Sequence, residues 1–173
     1  MKAYLQWIKN HKRLLAAFLF WSLTAALMIF IFYMSAQTSA QSSEISGGLI
    51  DEISHIINKN YPNLDDVAKA AFIESLQDIV RTLAHFCEFS LLGFLGFYAM
   101  YFTLTGKKIL LWSTVMGWIY SLSDEIHQLF VPGRAFQIKD ILVDWSGVLL
   151  GAALAFILCK FIEWLMLKKT LSK

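Results

Sequence analysis

From Leu14 to Tyr33 the chain carries no charged residue over 20 positions, and only Ser22 and Thr24 interrupt its apolar character. A helix rising ~1.5 Å per residue needs about 20 apolar residues to cross a ~30 Å hydrocarbon core, so this run has the length of a membrane crossing. The pattern recurs. Phe89–Thr105 is uncharged for 17 residues, and reaches 20 from Phe86 if Glu88 is admitted. Ile109–Ser123 runs for 15 residues, and continues to Ile126 if Asp124 and Glu125 are admitted. The fourth run, Ile141–Leu158, is interrupted by Asp144. Hydrophobic residues make up 57% of the 173, above the roughly half found in soluble domains, and the excess is gathered into these runs. The expected fold is all-α: one polytopic membrane domain over residues 1–173, with four transmembrane helices at about 14–33, 86–105, 109–127 and 141–162.

The first run invites comparison with a secretory signal, since a basic arm precedes it and Thr38-Ser39-Ala40 offers a tolerable cleavage site. A signal core is usually ~7–15 residues, and this run is longer and rich in aromatics, so an uncleaved anchor is expected. The net charge of +2 hides a strong asymmetry. Lys2, Lys9, Lys12 and Arg13 stand before the first span, Lys107 and Lys108 between the second and third, and Lys160, Lys168, Lys169 and Lys173 at the end. The remaining basic residues, Lys59, Lys69, Arg81, Arg134 and Lys139, share their connections with most of the acids. The positive-inside bias therefore places both termini in the cytoplasm and the external loop 34–85 outside. That loop opens on the polar stretch Ser35–Ser46, is broken at Gly47-Gly48, and turns at Tyr61-Pro62-Asn63, with Asn63 as N-cap. Leu64, Val67, Ala68, Ala71, Phe72 and Ile79 then share one side of a weakly amphipathic external helix. Cys87 and Cys159 fall at opposite ends of their spans, too far apart for a disulfide, and are expected to be small packing residues.

Polar residues concentrate at the ends of the later spans. At 100° per residue, Ser113, Gly117, Tyr120, Ser121, Asp124, His127 and Gln128 lie on one face of the third span, with Val115, Ile119, Leu122 and Ile126 opposite. Glu125 lies about 100° round from Asp124 and addresses a different neighbour. Asp140, Asp144, Gly147 and Gly151 form a single stripe on the fourth span, where a GxxxG pair lets another helix approach closely. Arg81, His85, Glu88, Leu92 and Gly96 form another on the second. With alternating crossings, these three polar ends stand at similar depth near the outer boundary. The glycines at 96, 117, 147 and 151 read as helix packing. Carboxylates a turn inside a span, Asp124 and Asp144, are costly to bury and mark a functional hypothesis. Val131-Pro132-Gly133-Arg134 suits a type II turn that brings Arg134 over the carboxylates, able to pair with them or to grip an anionic ligand. The candidate polar pocket therefore comprises His85, Glu88, Asp124, Glu125, His127, Gln128, Arg134, Asp140 and Asp144. A structural ion-pair network is the competing reading.

SDEIHQLFVPGR (Ser123–Arg134), followed by KDILVDWSGVLLG from Lys139, resembles the signature of the VanZ-like family of bacterial integral membrane proteins. RTLAHFCEFSLLG (Arg81–Gly93) is similar to that family's second-span segment, and FYMSAQTSAQSSEIS (Phe32–Ser46) to its Ser/Gln-rich exit from the first. One departure is Asp144, where asparagine is expected at least as often, and a carboxylate changes the charge of the pocket. The resemblance implies a cell-envelope protein linked to antibiotic resistance, since the family's namesake is associated with low-level teicoplanin resistance. It carries over no catalytic residue.

Two functions are then open. The first is a non-enzymatic envelope protein whose outward pocket binds a lipid-linked cell-wall precursor, another lipophilic ligand or the glycopeptide itself. The alternative is an intramembrane enzyme acting on a lipid-borne phosphate or ester, with His127 or His85 as general base, although no nucleophile elbow is present. A version with a metal on His85, Glu88, Asp124 and His127 has suitable residue types but no HExxH or Cys/His spacing, so neither metal nor cofactor is expected. Membrane lipids are expected partners and nucleic acid is not; the oligomeric state is open.

Overall fold

The computed structural model describes residues 2–106 and 108–171. Among the described residues every regular element is helical: α1 (Lys2–Ser35), α2 (Ser39–Ile57), α3 (Asp66–Thr103), α4 (Ile109–Gln128) and α5 (Ile138–Leu171), with one 3-10 turn at Tyr61–Asn63. Lys107 and Lys173, which contribute to the charge asymmetry, lie outside the described residues.

Local chemistry explains most boundaries. A capping box starts α2: the Thr38 hydroxyl accepts from the Gln41 amide while the Gln41 side chain accepts from the Thr38 amide. The helix then runs straight through Gly47-Gly48, where a break was expected. Two exposed-helix glycines cost about 0.5–1 kcal/mol each against alanine. The cap and the burial of Ile50 and Ser54 offset that cost. Asp65, not Asn63, is the N-cap of α3, its carboxylate accepting from the Ala68 amide at 2.7 Å; Asn63 instead ends the 3-10 turn Tyr61–Asn63. No glycine or proline occurs between Asp66 and Leu92, so the amphipathic segment and the second span fuse into one helix of 38 residues. Its first turns do not cover a single apolar side: Val67 is 82% exposed and Ile79 is also exposed, whereas Leu76 is buried. Which side is covered depends on where α2 and Tyr61 pack. At the far end Gly106, with φ +122°, allows the reversal into α4.

Three helices are long and apolar enough to cross a membrane: Asn10–Ser35 within α1, α3 and α5. The expected crossing at 109–127 is a helix, α4, but its polar face leaves it short of the apolar content of the other three. Helices α3 and α5 share the most extensive interface, with α1 against α3 and α4 against both α3 and α5. The Arg13 guanidinium donates to the Phe102 and Leu104 carbonyls at 2.9 Å each, and the Trp21 indole to the Thr103 hydroxyl at 2.8 Å, so α1 begins where α3 ends.

The apolar core has two parts. Ile31, Phe89, Leu92 and Val148 pack together beside the polar ends of the helices. Phe97, Ala152, Ala155 and Cys159 pack toward the opposite end. Cys159 is a buried packing residue as expected, but Cys87 is exposed, and both are free thiols. Large apolar side chains elsewhere point outward, Phe18 (75% exposed) and Ile29 among them, as suits helices bathed in lipid.

Candidate functional site

Glycines set the depth of the site. A Cβ at Gly147 would lie 2.6 Å from the Phe86 carbonyl oxygen, one at Gly151 would overlap the Ser90 carbonyl, and one at Gly93 would overlap the Val148 carbonyl. Helices α3 and α5 therefore ride backbone on backbone, a contact that only small residues permit. Asp144, one turn before Gly147 on α5, is thereby pressed against His85, one turn before Phe89 on α3. Helix α4 completes the arrangement. Ser113, Gly117, Ser121, Asp124 and Gln128 are buried on its expected polar face, while Ile119 and Ile126 are exposed on the other.

Three ionisable side chains from three helices meet there. His85 Nδ1 stands 3.5 Å from Asp144 Oδ1, and His85, Asp124 and Asp144 each bring a donor atom within 4.8 Å of the others. Asp124 is 2% and Asp144 0% exposed, whereas the His85 side chain keeps 15%. Hydrogen bonds hold one oxygen of each aspartate. Asp124 Oδ2 accepts from the Ser35 hydroxyl at 2.8 Å and the Gln128 amide at 3.2 Å; Asp144 Oδ2 accepts from the Ser121 hydroxyl at 3.1 Å. Asp124 Oδ1, Asp144 Oδ1 and His85 Nδ1 have no hydrogen-bond partner. The arrangement can bind a cation, or share protons between a buried acid pair and an imidazole.

The other expected residues surround this centre without joining it. Glu125 is fully buried but turns away from Asp124, as its wheel position suggests, and accepts from the Gln137 amide at 2.8 Å to hold the loop before α5. His127 stacks on Phe32 with ring centroids 4.2 Å apart, and its Nδ1 has no partner. Glu88 lies half-buried on α3, one turn on from His85, and Asp140 half-buried in the first turn of α5. The turn at Val131–Arg134 has the expected form, with Gly133 at φ +78° and the Arg134 amide donating to the Val131 carbonyl at 3.1 Å. Arg134 forms no ion pair with a carboxylate among the described residues; its Nε donates to the Gln37 carbonyl at 3.4 Å. Burial and then the charge of Arg81 pull the Arg134 pKa below its ordinary value, against Asp124, Asp140 and Glu125.

Sequence reasoning missed Ser35 and Gly93. Ser35 is the contribution of α1, and its signal was present: Ala17, Thr24, Ile31 and Ser35 fall on one stripe, and all four are buried. Gly93 faces Val148 as closely as the GxxxG glycines face α3. Gly96 and Gly117, expected as packing positions, meet side chains instead of backbone, Met116 and Val148 respectively. Two clefts lie away from the carboxylates. A cleft of about 340 Å³ is lined by Phe97, Tyr101, Ile109, Phe156 and Cys159 at the opposite end, and one of about 350 Å³ by Tyr33, Ala36, Gln37, Gln41 and Glu44 beside the Arg134 contact.

A family model described as VanZ/LLP1 matches residues 20–159, a stretch that contains every residue of the cluster. The chain belongs to the VanZ-like family. No curated protein and no solved structure matches it. Membership and the long apolar helices together make this a VanZ-like membrane protein. Within the VanZ-like match, the segment running from Ser121 through Arg134 to Asp144 supplies two of the three central side chains, and Arg81–Gly93 supplies the third.

Proposed function

We propose that this VanZ-like protein is a single-domain, four-span protein of the bacterial plasma membrane, with both termini cytoplasmic and the loop 34–85 external. Its outward end binds a lipid-linked or lipophilic anionic ligand, of the cell-wall precursor class, and so alters access of teicoplanin-type glycopeptides to the envelope. The observation that carries this reading is the meeting of His85, Asp124 and Asp144 from three helices at the end where Arg134 sits. A buried acid pair of that kind is expensive to maintain for packing alone. Support for an anionic ligand comes from Arg134, half-buried at this end and without a carboxylate ion pair among the described residues. A guanidinium of that kind suits a phosphate or carboxylate. A cleft lined by Tyr33, Ala36, Gln37, Gln41 and Glu44 opens beside the Gln37 carbonyl that Arg134 contacts, and its mixed polar lining suits the headgroup end of such a ligand. Helices α1, α3 and α5 meet the length requirement, and the fourth crossing of this reading is α4, whose polar face is buried.

The second reading, an intramembrane enzyme acting on a lipid-borne phosphate or ester, is favoured by one feature. The 3.5 Å approach of His85 to Asp144 has the form of a base held by a carboxylate. One experiment separates the two readings. Wild type, Asp124→Asn and Arg134→Ala are expressed in a glycopeptide-sensitive bacterium, and teicoplanin susceptibility is read beside the envelope lipid profile. Binding predicts tolerance with wild type alone, at equal membrane abundance and unchanged lipid species. A lipid species consumed only by the wild type establishes turnover. Equal tolerance in all three strains reduces the cluster to packing.

A further inference from the structure

Asp124 and Asp144 are each tethered by one carboxylate oxygen and bare at the other. Ser35 and Gln128 hold Asp124 Oδ2, Ser121 holds Asp144 Oδ2, and both Oδ1 atoms are left without a hydrogen-bond partner in side chains 2% and 0% exposed. The third unpartnered atom in the cluster is His85 Nδ1. A buried polar atom without a hydrogen bond is costly, and more so when charged; Asp124 Oδ1 has no partner, and His85 Nδ1 and Asp144 Oδ1 face only each other at 3.5 Å, a spacing that leaves room for an ion between them. We propose that His85, Asp124 and Asp144 bind one divalent transition-metal ion of the zinc and manganese class.

Charge, donor type and distance agree on this occupant. Two buried carboxylates and a neutral imidazole carry −2, which one divalent ion cancels. No lysine or arginine forms an ion pair with either aspartate among the described residues. One nitrogen and two oxygen donors suit Zn²⁺ or Mn²⁺, whereas Mg²⁺ and Ca²⁺ favour sets made of oxygen alone. Bonds of 2.0–2.2 Å put tetrahedral donors about 3.4 Å apart. His85 Nδ1 and Asp144 Oδ1 already stand 3.5 Å apart, and all three donors fall within 4.8 Å. The serine and glutamine contacts are the outer-shell bonds that orient metal carboxylates. This ligand set differs from the one the sequence offers. Asp144 replaces Glu88 and His127, the latter being held against Phe32. Three protein ligands would leave a coordination position open, as in zinc centres that act on a bound molecule.

The proposal does not depend on the lipid ligand above, and its test uses no cellular phenotype. Untagged protein in nanodiscs is stripped with chelator, checked for monodispersity, and titrated separately with Zn²⁺, Mn²⁺, Mg²⁺ and Ca²⁺ by calorimetry, with bound metal counted by elemental analysis. About one equivalent of Zn²⁺ or Mn²⁺ per chain is expected, undiminished by equimolar Mg²⁺ or Ca²⁺. The near-isosteric variants His85→Gln, Asp124→Asn and Asp144→Asn should each lose more affinity than the ~10–100-fold expected of an outer-shell change such as Ser121→Ala. His55→Ala and His127→Ala should bind as wild type does. Folded wild type that takes up no stoichiometric ion overturns the proposal, a result independent of whether any variant folds. So does binding that persists in His85→Gln and Asp144→Asn, which would place the ion elsewhere.

Discussion

Ser35 shows how much one hydroxyl can settle. It is the last residue of α1, 2% exposed, and it donates to an aspartate 89 positions away. Replacing it with alanine removes one of the two donors that hold Asp124 Oδ2 and leaves a buried carboxylate oxygen served by Gln128 alone. The expected loss is about 1–3 kcal/mol, read as a lower melting temperature in detergent. The same substitution at Ser75, an exposed serine that bonds only the Phe72 carbonyl of its own helix, should leave the melt unchanged. Equal melts for both variants would mean that α1 contributes lipid-facing surface and nothing to the cluster. Tyr120 makes a parallel link, its hydroxyl donating to the Met28 carbonyl. Both tie α1 to α4, two elements that otherwise touch little.

At the scale of elements, the closest approach is between α3 and α5, and glycines explain it. Where a new Cβ would strike backbone, the helix must move; where it would strike the end of a flexible side chain, that side chain can turn aside. Gly151→Ala belongs to the first kind, overlapping the Ser90 carbonyl, and should cost about 1–3 kcal/mol as α5 is pushed outward. Gly96→Ala belongs to the second, its nearest neighbour being Met116 Cε at 2.7 Å, and should be tolerated. Thermal melts of the two variants, measured together, check the contrast. Similar losses would sink the contrast between backbone and side-chain contact, and a gain at both would show that helix propensity governs these positions. Because Gly147 lies on the same stripe one turn from Asp144, displacing α5 also parts Asp144 from His85. Packing and site are therefore not separable on this helix.

For the whole molecule, the arrangement requires the ends of α1 and α4 and the early turns of α3 and α5 to lie on one side of the membrane. With Cys87→Ser as background, a membrane-impermeant thiol reagent should label Glu44→Cys in intact cells and leave a cysteine at Lys108 unlabelled. The reverse pattern would invert the proposed orientation and place the cluster at the cytoplasmic side. Much of this was legible beforehand because helical periodicity is a local property: residues 121, 124 and 128 share a face of α4 whatever surrounds it, and so do 144, 147 and 151 on α5. Length and apolar content likewise marked α1 and α5 as helices able to cross a membrane, and turn chemistry announced Val131–Arg134. The continuity of α2 through Gly47-Gly48 was not legible, because burial of Ile50 and Ser54 against neighbours outweighs what two glycines cost locally. Membership of the cluster was not legible either. His127 shares a wheel face with Asp124, yet Phe32 captures its ring, while Ser35 joins from the far end of the sequence. Chain spacing determines which direction a side chain points; only the packing of α1, α3, α4 and α5 decides what it meets, because those contacts depend on how closely backbones approach.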